Sequence, residues 1–323
     1  MREVYYWEAL NEAYKEEMRK DKNIITFGED IAISDGSFLV TKGLLKEFGP
    51  ERVRETPLSE VAIVGSAIGS SIVGLRPVAE IQFNDFLGVA GDQIINQMAK
   101  LRYMSGGQIK MPLVLRMPMG GGLQAAAQHS QCLEGTFMSI PGLKIICPSN
   151  PMDAKGMFKS AIRDDNPVLL FEHIDLYNTK GLIPDDEYLI PIGKADVKKE
   201  GKDLTIVAIS DMVNKGLRVA EKFAKEGKSI EVVDVRTLCP LDFETILNSV
   251  KKTGKVVVAY LSSKTNGSGT EIAARLSDEA FEYLDAPIKR VAGKDVPIPF
   301  APNMEAYVLP QEQDLIDAIS EIL

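Results

Sequence analysis

The chain has 323 residues, more than the roughly 250–300 at which a single hydrophobic core stops growing, so we expect two domains. Its composition is 45% hydrophobic, 26% charged and 7% aromatic, which excludes disordered, collagen-like and disulfide-rich classes. With 37 basic against 46 acidic residues the formal net charge is −9. That charge disfavours nucleic-acid binding, and no basic patch offsets it.

The N-terminal segment and the cysteines predict a cytoplasmic protein. The first residues are charged and amphipathic, unlike an apolar signal region, and no stretch reaches about 18 uninterrupted apolar residues. Cys132, Cys147 and Cys239 are far apart and lack CxxC spacing, so neither a disulfide framework nor a zinc cluster is indicated. We expect no membrane association.

The first part of the chain alternates helical and strand patterns. Apolar residues at helical spacing predict a helix over 5–18, and a β-branched run predicts a strand over 24–27. Further strands are expected at 76–83, 112–116, 143–147 and 168–171, with helices at 91–104 and 151–163. This order predicts an α/β fold with buried parallel strands and helical crossovers.

A charged, proline-containing stretch at 182–203 marks the expected domain boundary. Three more apolar strands (204–210, 229–235 and 255–260) and two helices (214–225 and 271–283) follow it. We therefore assign a first domain to 1–185, a linker to 186–203 and a second, smaller α/β domain to 204–323.

Glu60 is the first candidate for chemistry, because it stands at the start of a helix-like run of small and apolar residues. A carboxylate beside an apolar wall has its pKa raised and suits proton exchange with a buried ring nitrogen. The alternative is a first-turn glutamate that interacts with the helix dipole, with Ser59 as the cap.

Two glycines lie further along the same run. Gly65 and Gly69 are four residues apart, a spacing that serves either a subunit contact or tight packing inside one domain.

His129 and His173 are the only histidines. His129 follows the glycine cluster 120–122 and is a candidate acid/base group, although a satisfied surface histidine fits the same letters. The glycines do not match GxxxxGK[ST], which excludes a P-loop. His173 follows a predicted strand, and we expect it to be structural.

Asp164 and Asn166 lie in a predicted loop, where oxygen ligands could hold a hard cation. Helix capping or turn chemistry explains the same residues equally well.

Taken together, these segments resemble the beta subunit of the thiamine-diphosphate-dependent first component of 2-oxo acid and acetoin dehydrogenases. The motifs that carry the resemblance run nearly end to end: FGEDI, VTKGLLKEFGPERV, TPLSE, GLRPVAEIQFNDF, DQIINQMAKLRYMSGG, QHSQ, PGLKIICPSNPMDAKG, NPVLLFEH, RTLCPLD, KKTGKVVV and LDAPIKRV.

The resemblance implies a pyrimidine-binding domain followed by a transketolase C-terminal-type domain, in a tetramer of two alpha and two beta chains. It implies that Glu60 hydrogen-bonds the aminopyrimidine ring of the cofactor and promotes its imino tautomer. Leu58 then lines the cofactor and Phe86 packs on its pyrimidine. His129 handles protons around the substrate and during acyl transfer to a lipoyl group.

The resemblance also implies a structural monovalent cation, potassium, held through Leu113, Ala161, Ile162, Asp164 and Asn166. The sequence lacks a GDG followed about 30 residues later by Asn, the pattern with which thiamine enzymes hold magnesium and diphosphate. An alpha subunit is therefore expected to supply that half of the site, and the isolated chain is expected to be inactive.

The function implied is cleavage of the carbon–carbon bond next to a carbonyl and reductive acylation of a lipoyl domain on an acyltransferase core. Acetoin is favoured as substrate over pyruvate and branched-chain 2-oxo acids. The alternatives are a split transketolase-like or deoxyxylulose-phosphate-synthase-like half enzyme, or a noncatalytic scaffold. The chain departs from the family pattern at Leu261, Ser262 and Ser263, where relatives commonly carry acids, and in the loop 35–38.

Overall fold

The computed structural model describes every residue from Met1 to Leu323. The chain folds as two compact units. Unit 1 comprises Met1–Met119 and Phe137–Ile192, and unit 2 comprises Gly120–Thr136 and Gly193–Leu323. No helix combines the length and the apolar character that crossing a bilayer requires.

The elements up to residue 192 are, in chain order, β1 (Arg2–Tyr5), α1 (Tyr6–Lys20), β2 (Ile24–Gly28), α2 (Leu44–Phe48), β3 (Val53–Glu55), α3 (Glu60–Ile72), β4 (Arg76–Glu80), α4 (Ala99–Met104), β5 (Val114–Met119), α5 (Glu134–Met138), β6 (Lys144–Ile146), α6 (Pro151–Arg163), β7 (Val168–His173) and β8 (Lys180–Ile183).

The elements after residue 192 are β9 (Asp196–Lys199), β10 (Leu204–Ala208), α7 (Met212–Lys225), β11 (Ile230–Asp234), β12 (Thr237–Cys239), α8 (Phe243–Thr253), β13 (Val256–Ser263), α9 (Thr270–Glu279), β14 (Lys289–Gly293), α10 (Pro302–Val308) and α11 (Glu312–Ser320).

Unit 1 is built on six parallel strands in the order β6-β7-β5-β4-β2-β3. Every residue of β2, β5 and β7 is buried, as expected of parallel strands covered on both faces. Helices α1 and α6 cover one face and bury Tyr14 and Phe158, whose rings meet edge to face at 4.8 Å. A separate antiparallel pair joins β1 to β8.

Unit 2 is built on five strands in the order β14-β13-β10-β11-β9. The first four are parallel, and β9 pairs antiparallel with β11 at the edge. Helices α7 and α11 contribute the buried Val219, Phe223, Leu315 and Ile319 to its core. The predicted α/β class with parallel sheets flanked by helices is confirmed.

Most of the predicted elements occur, with shifted ends. Helix α6 occupies the predicted range 151–163, whereas β5 starts two residues later than expected and continues through Pro118 to Met119. The run 91–104 forms a π-helix, Gln93–Met98, before α4. The stretch assigned to a linker contains β9, because Val197 pairs with Val233 and extends the second sheet.

Candidate active site

Glu60 is the first residue of α3 in unit 1. Its side chain is half-buried, whereas Leu58, two residues earlier, is 80% exposed. The Ser59 backbone carbonyl accepts from the Ile63 N–H, but its side chain makes no capping hydrogen bond. The Glu60 carboxylate therefore stands at the positive end of the helix dipole beside an open apolar surface.

A second carboxylate, Glu29, lies close enough to Glu60 for the two charges to repel, and it was not among the predicted site residues. It follows β2 directly, is 5% exposed, and neither carboxylate oxygen has a partner at hydrogen-bonding geometry. Burial raises its pKa, and repulsion from Glu60 and then Asp30 raises it further, while the nearby Ser59 N–H acts in the opposite direction. The two carboxylates therefore form a pair of potential hydrogen-bond acceptors, one directly after β2 and one at the start of α3.

Phe86 belongs to a 3₁₀ turn, Asn84–Gly88, that follows β4. It is half-buried and meets Phe83 edge to face at 6.4 Å. Phe83 in turn meets Phe38 at 6.3 Å, and Phe38 stacks on Tyr177 at 4.5 Å with an interplanar angle of 14°. This row of rings ties the loop 35–38 to the residue expected to contact the cofactor.

A buried ionic cluster lies at the end of this row. Arg116 is 1% exposed and donates through Nε to Glu172 Oε1 at 2.8 Å and through Nη1 to Glu80. The Tyr177 hydroxyl donates to Glu172 Oε2 at 2.7 Å. Burial raises the pKa of Glu80 to about 7, although Arg116 opposes the rise. The three charges sit on the adjacent strands β4, β5 and β7.

His129 lies in the segment 120–136, called the His129 loop below, which belongs to unit 2 and ends in the first residues of α5. It is half-buried, and its backbone N–H donates to the Ala126 carbonyl at 3.4 Å. The Gly120 N–H donates to the Gln131 carbonyl at 2.9 Å, which closes the loop. Glu60, Leu58 and Phe86 belong to unit 1.

A cavity of about 730 Å³ in unit 2 adjoins the His129 loop. Gln128, Gln131 and Leu133 form one wall, and the ends of β13 and β14 form another. Ser262 and Ser263, the positions that depart from the family pattern, lie in that second wall.

The five residues of the predicted cation site lie in unit 1, and oxygens of four of them, Leu113, Ala161, Ile162 and Asp164, already accept hydrogen bonds. The carbonyls of Ile162 and Asp164 each accept from Arg76 Nη1 at 3.1 Å, and the Leu113 carbonyl accepts from the Val168 N–H at 2.9 Å. The Ala161 carbonyl accepts from the Asp164 N–H at 3.2 Å.

The Asp164 carboxylate accepts from Lys144, and through Oδ1 from the Asn166 side-chain amide at 2.8 Å. The Arg76 guanidinium places a positive charge beside two of the predicted ligands, and like charge disfavours a cation there. Potassium binding stays a prediction.

The comparisons with known proteins cover both units. Residues 2–180 match the transketolase pyrimidine-binding domain and residues 193–315 match the transketolase C-terminal domain. The chain is 45% identical to acetoin:2,6-dichlorophenolindophenol oxidoreductase subunit beta of Bacillus subtilis, covering 98% of this chain and 96% of that one. It is 46% identical to 2-oxoisovalerate dehydrogenase subunit beta of the same organism, covering 98% of each chain.

The chain belongs to the family of first-component beta subunits of 2-oxo acid and acetoin dehydrogenases. A third member, pyruvate dehydrogenase E1 component subunit beta of Bacillus subtilis, is 43% identical over 98% of this chain and 97% of that one. Among solved structures, a split-gene transketolase, described as an inactive beta4 tetramer, superposes with a TM-score of 0.82 at 26% identity, covering 99% of this chain and 98% of that chain. The beta-subunit family predicted from the sequence motifs is confirmed.

Two features of this beta subunit had only weak sequence signals. Glu29 stands in the motif FGEDI, directly after a strand, where a buried acid is easily taken for a surface loop residue. Glu80 and Arg116 occupy otherwise apolar strand runs, and a charge inside such a run was the available signal.

His173 is 2% exposed, and its Nδ1 accepts from the Asp175 N–H at 3.3 Å, which is a local turn contact.

Proposed function

We propose that this beta subunit, together with an alpha subunit and a second beta subunit, cleaves the bond next to the carbonyl of acetoin or a 2-oxo acid. The cleavage releases CO₂ from a 2-oxo acid or acetaldehyde from acetoin. The remaining fragment gives two electrons to the disulfide of a lipoyl group on an acyltransferase core, which opens to one free thiol and one thioester. The observation that carries the proposal is the pair Glu29 and Glu60 in the unit that matches a pyrimidine-binding domain.

The residues present fit the pyrimidine half of thiamine diphosphate. Glu29 offers two buried carboxylate oxygens without hydrogen-bond partners, Glu60 is half-buried beside it, and Leu58 presents an open apolar surface. Carboxylate acceptors next to apolar side chains suit a flat nitrogen heterocycle that donates N–H groups. When bound, thiamine diphosphate supplies the nucleophilic carbon and the electron sink for cleavage.

The roles of the protein groups follow from their positions. Glu60, in the first turn of α3, holds a proton at a ring nitrogen of the pyrimidine. Glu29, whose pKa is raised by burial and by Glu60, retains its proton at higher pH than an exposed glutamate and so limits the repulsion between the two. Phe86 packs on the heterocycle, and His129 moves a proton at the substrate oxygen.

The alpha subunit supplies the groups that bind magnesium and the diphosphate. This chain carries no GDG motif, so its own residues account for one half of the site. The activity is accordingly a property of the mixed complex, which we propose acts in the cytoplasm.

Relatives that act on three substrate classes are similarly close to this chain. Identities of 43% to 46% cover pyruvate, 2-oxoisovalerate and acetoin enzymes and do not separate them. The motifs FNDF, AKLRYM, AAAQHSQ and LYNTKG favour acetoin.

The test is an assay of the chain with and without its alpha subunit, using acetoin, pyruvate and 3-methyl-2-oxobutanoate with 2,6-dichlorophenolindophenol as electron acceptor. We expect thiamine-dependent turnover of one of the three by the mixture, and none by the chain alone. A mixture silent towards all three overturns the proposal in favour of a noncatalytic scaffold. A mixture that instead transfers two-carbon fragments between sugar phosphates overturns it in favour of a transketolase-like half enzyme.

A further inference from the structure

Two buried glutamates hold the two ends of the His129 loop, and neither has a role in the site described above. Glu305 in α10 is 4% exposed, and its Oε1 accepts from the Gly122 backbone N–H at 2.9 Å. At the other end of the loop Glu134 is 1% exposed, and its Oε1 accepts from the Ser268 hydroxyl at 2.7 Å. All of these residues belong to unit 2.

The Glu134 end is fitted closely to the segment after β13. The Ser268 backbone N–H donates to Ser262 Oγ at 3.1 Å, and the two serine hydroxyls lie 3.2 Å apart. A Cβ added at Gly135 would lie 2.8 Å from the Ser268 backbone nitrogen, so only glycine permits this approach. The segment and the loop therefore form one packed contact.

The Glu305 end is fitted in the same way. A Cβ added at Gly121 would lie 2.7 Å from Leu309 Cδ1 and 3.2 Å from Glu305 Oε1. The loop backbone thus lies directly on α10 and the residue that follows it.

Between these two ends the loop holds an unfavourable backbone conformation. Gln124 and Ala126 are in the left-handed region, with φ of 56° and 61°, a few residues before His129. Residues with a Cβ persist in that region only where the surroundings fix them. The conformation of the loop, and with it the place of His129, depends on what holds its ends.

We propose that Glu134 and Glu305 are positioning residues for His129, which clamp the ends of its loop to unit 2. The inference rests on the proposed function, in which His129 moves a proton at the substrate. Displacement of a proton-transfer group by about 1 Å costs on the order of 10²-fold in rate, so a clamp of this kind is needed.

Each glutamate acts as a hydrogen-bond acceptor in this arrangement. The second oxygen of Glu134 is buried without a hydrogen-bond partner, and burial raises the pKa of the group. A glutamine keeps a carbonyl acceptor for the Ser268 hydroxyl or the Gly122 N–H, whereas an alanine removes it. The Gln variants remove the charge and keep an acceptor, whereas the Ala variants remove both. Comparing the two therefore separates the effect of the acceptor from the effect of the charge.

The experiment uses the complex of this chain with its alpha subunit and the substrate that the complex turns over. Glu134→Ala, Glu134→Gln, Glu305→Ala and Glu305→Gln are each made in the wild-type chain and in His129→Ala. Glu282→Ala, an exposed glutamate of unit 2, is the matched control. The kcat, the KM and the thermal unfolding midpoint are measured for every variant.

We expect each Ala variant to lower kcat about tenfold or more with little change in KM, and each Gln variant to stay within about threefold of wild type. In the His129→Ala background the Ala variants should cost nothing further, because the group they position is gone. A purely structural role would lower kcat by the same factor in both backgrounds.

An equal loss in both backgrounds, or wild-type kcat in both Ala variants, overturns the inference. Should Glu134→Ala fail to assemble, Ser268→Ala removes the donor alone and must give the same dependence on His129. If His129→Ala itself keeps wild-type kcat, the role of His129 in the proposed function fails together with the inference. If His129→Ala is impaired and the clamp variants are not, the inference alone fails.

Discussion

The Glu80 carboxylate and the Arg116 guanidinium face each other on register-paired positions of β4 and β5, and both side chains are almost wholly buried. Glu172 on β7 shares the same guanidinium, so two buried carboxylates depend on one cation. Burial raises the pKa of Glu80 to about 7; Arg116 opposes the rise, and the charge of Glu172 adds to it. Two predictions for stability follow from this cluster.

The first prediction concerns the pH dependence of stability. A carboxyl whose pKa is 4.5 in the unfolded chain and about 7 in the folded chain binds more protons when folded, so stability falls as the pH rises from about 4.5 to about 7. The loss is bounded at about 3 kcal/mol. Glu80→Gln should flatten this slope in urea unfolding between pH 5 and 8, and a variant with the wild-type slope would contradict the assignment.

The second prediction concerns the loss of the shared cation. Arg116→Met leaves Glu80 and Glu172 buried without a counter-charge, and we expect the free energy of unfolding at pH 8 to fall by about 3–5 kcal/mol. Arg54→Met is the control, because Arg54 is exposed and pairs with the exposed Glu51. That surface pair should contribute less than about 1 kcal/mol. Similar losses in the two variants would refute the role of Arg116.

The strand positions, and the place of Glu60 at the start of a helix, could be predicted from the sequence because they depend on local pattern. Helix α6 has asparagine at its N-cap and proline at its first position, and its predicted ends are those observed. The Glu29 and Glu60 pair could not be predicted in this way, since it brings together the ends of β2 and the start of α3. The attachment of the His129 loop to Glu305 joins residues 183 positions apart, which no local pattern encodes.

The third prediction concerns the exposed face of α3. A Cβ at Gly69 would meet nothing within 4 Å, whereas Gly65 faces Gln93 within the chain. Val73 next to this face is 77% exposed. Gly69→Leu should therefore weaken association with partner subunits, as measured by sedimentation. The thermal unfolding midpoint of the chain should stay within a few degrees of the wild-type value. Ser277→Leu on α9 is the control, and an unchanged mass for Gly69→Leu would count against α3 as a subunit contact.

The fourth prediction concerns the row of rings that ends at Phe86. Phe38→Ala removes the stack on Tyr177 and the contact with Phe83, so the loop 35–38 loses its support. We expect kcat/KM of the complex to fall about tenfold, mainly through a higher KM for thiamine diphosphate, because Phe86, which is proposed to pack on the cofactor, loses its support. Phe281→Ala, at a 73% exposed position of unit 2, should keep wild-type kinetics. Equal kinetics for the two variants would show that the row of rings does not support the site.

The central claim is that this chain supplies the carboxylate at residue 60 to a site that it shares with an alpha subunit. The most direct test compares Glu60→Gln with Glu51→Gln, an exposed glutamate in the same unit, in the reconstituted complex under saturating thiamine diphosphate. We expect kcat to fall about 10²-fold or more for Glu60→Gln, because the variant loses a group that holds a proton in the reaction, and to stay at the wild-type value for the control. Wild-type kcat for Glu60→Gln would contradict the account.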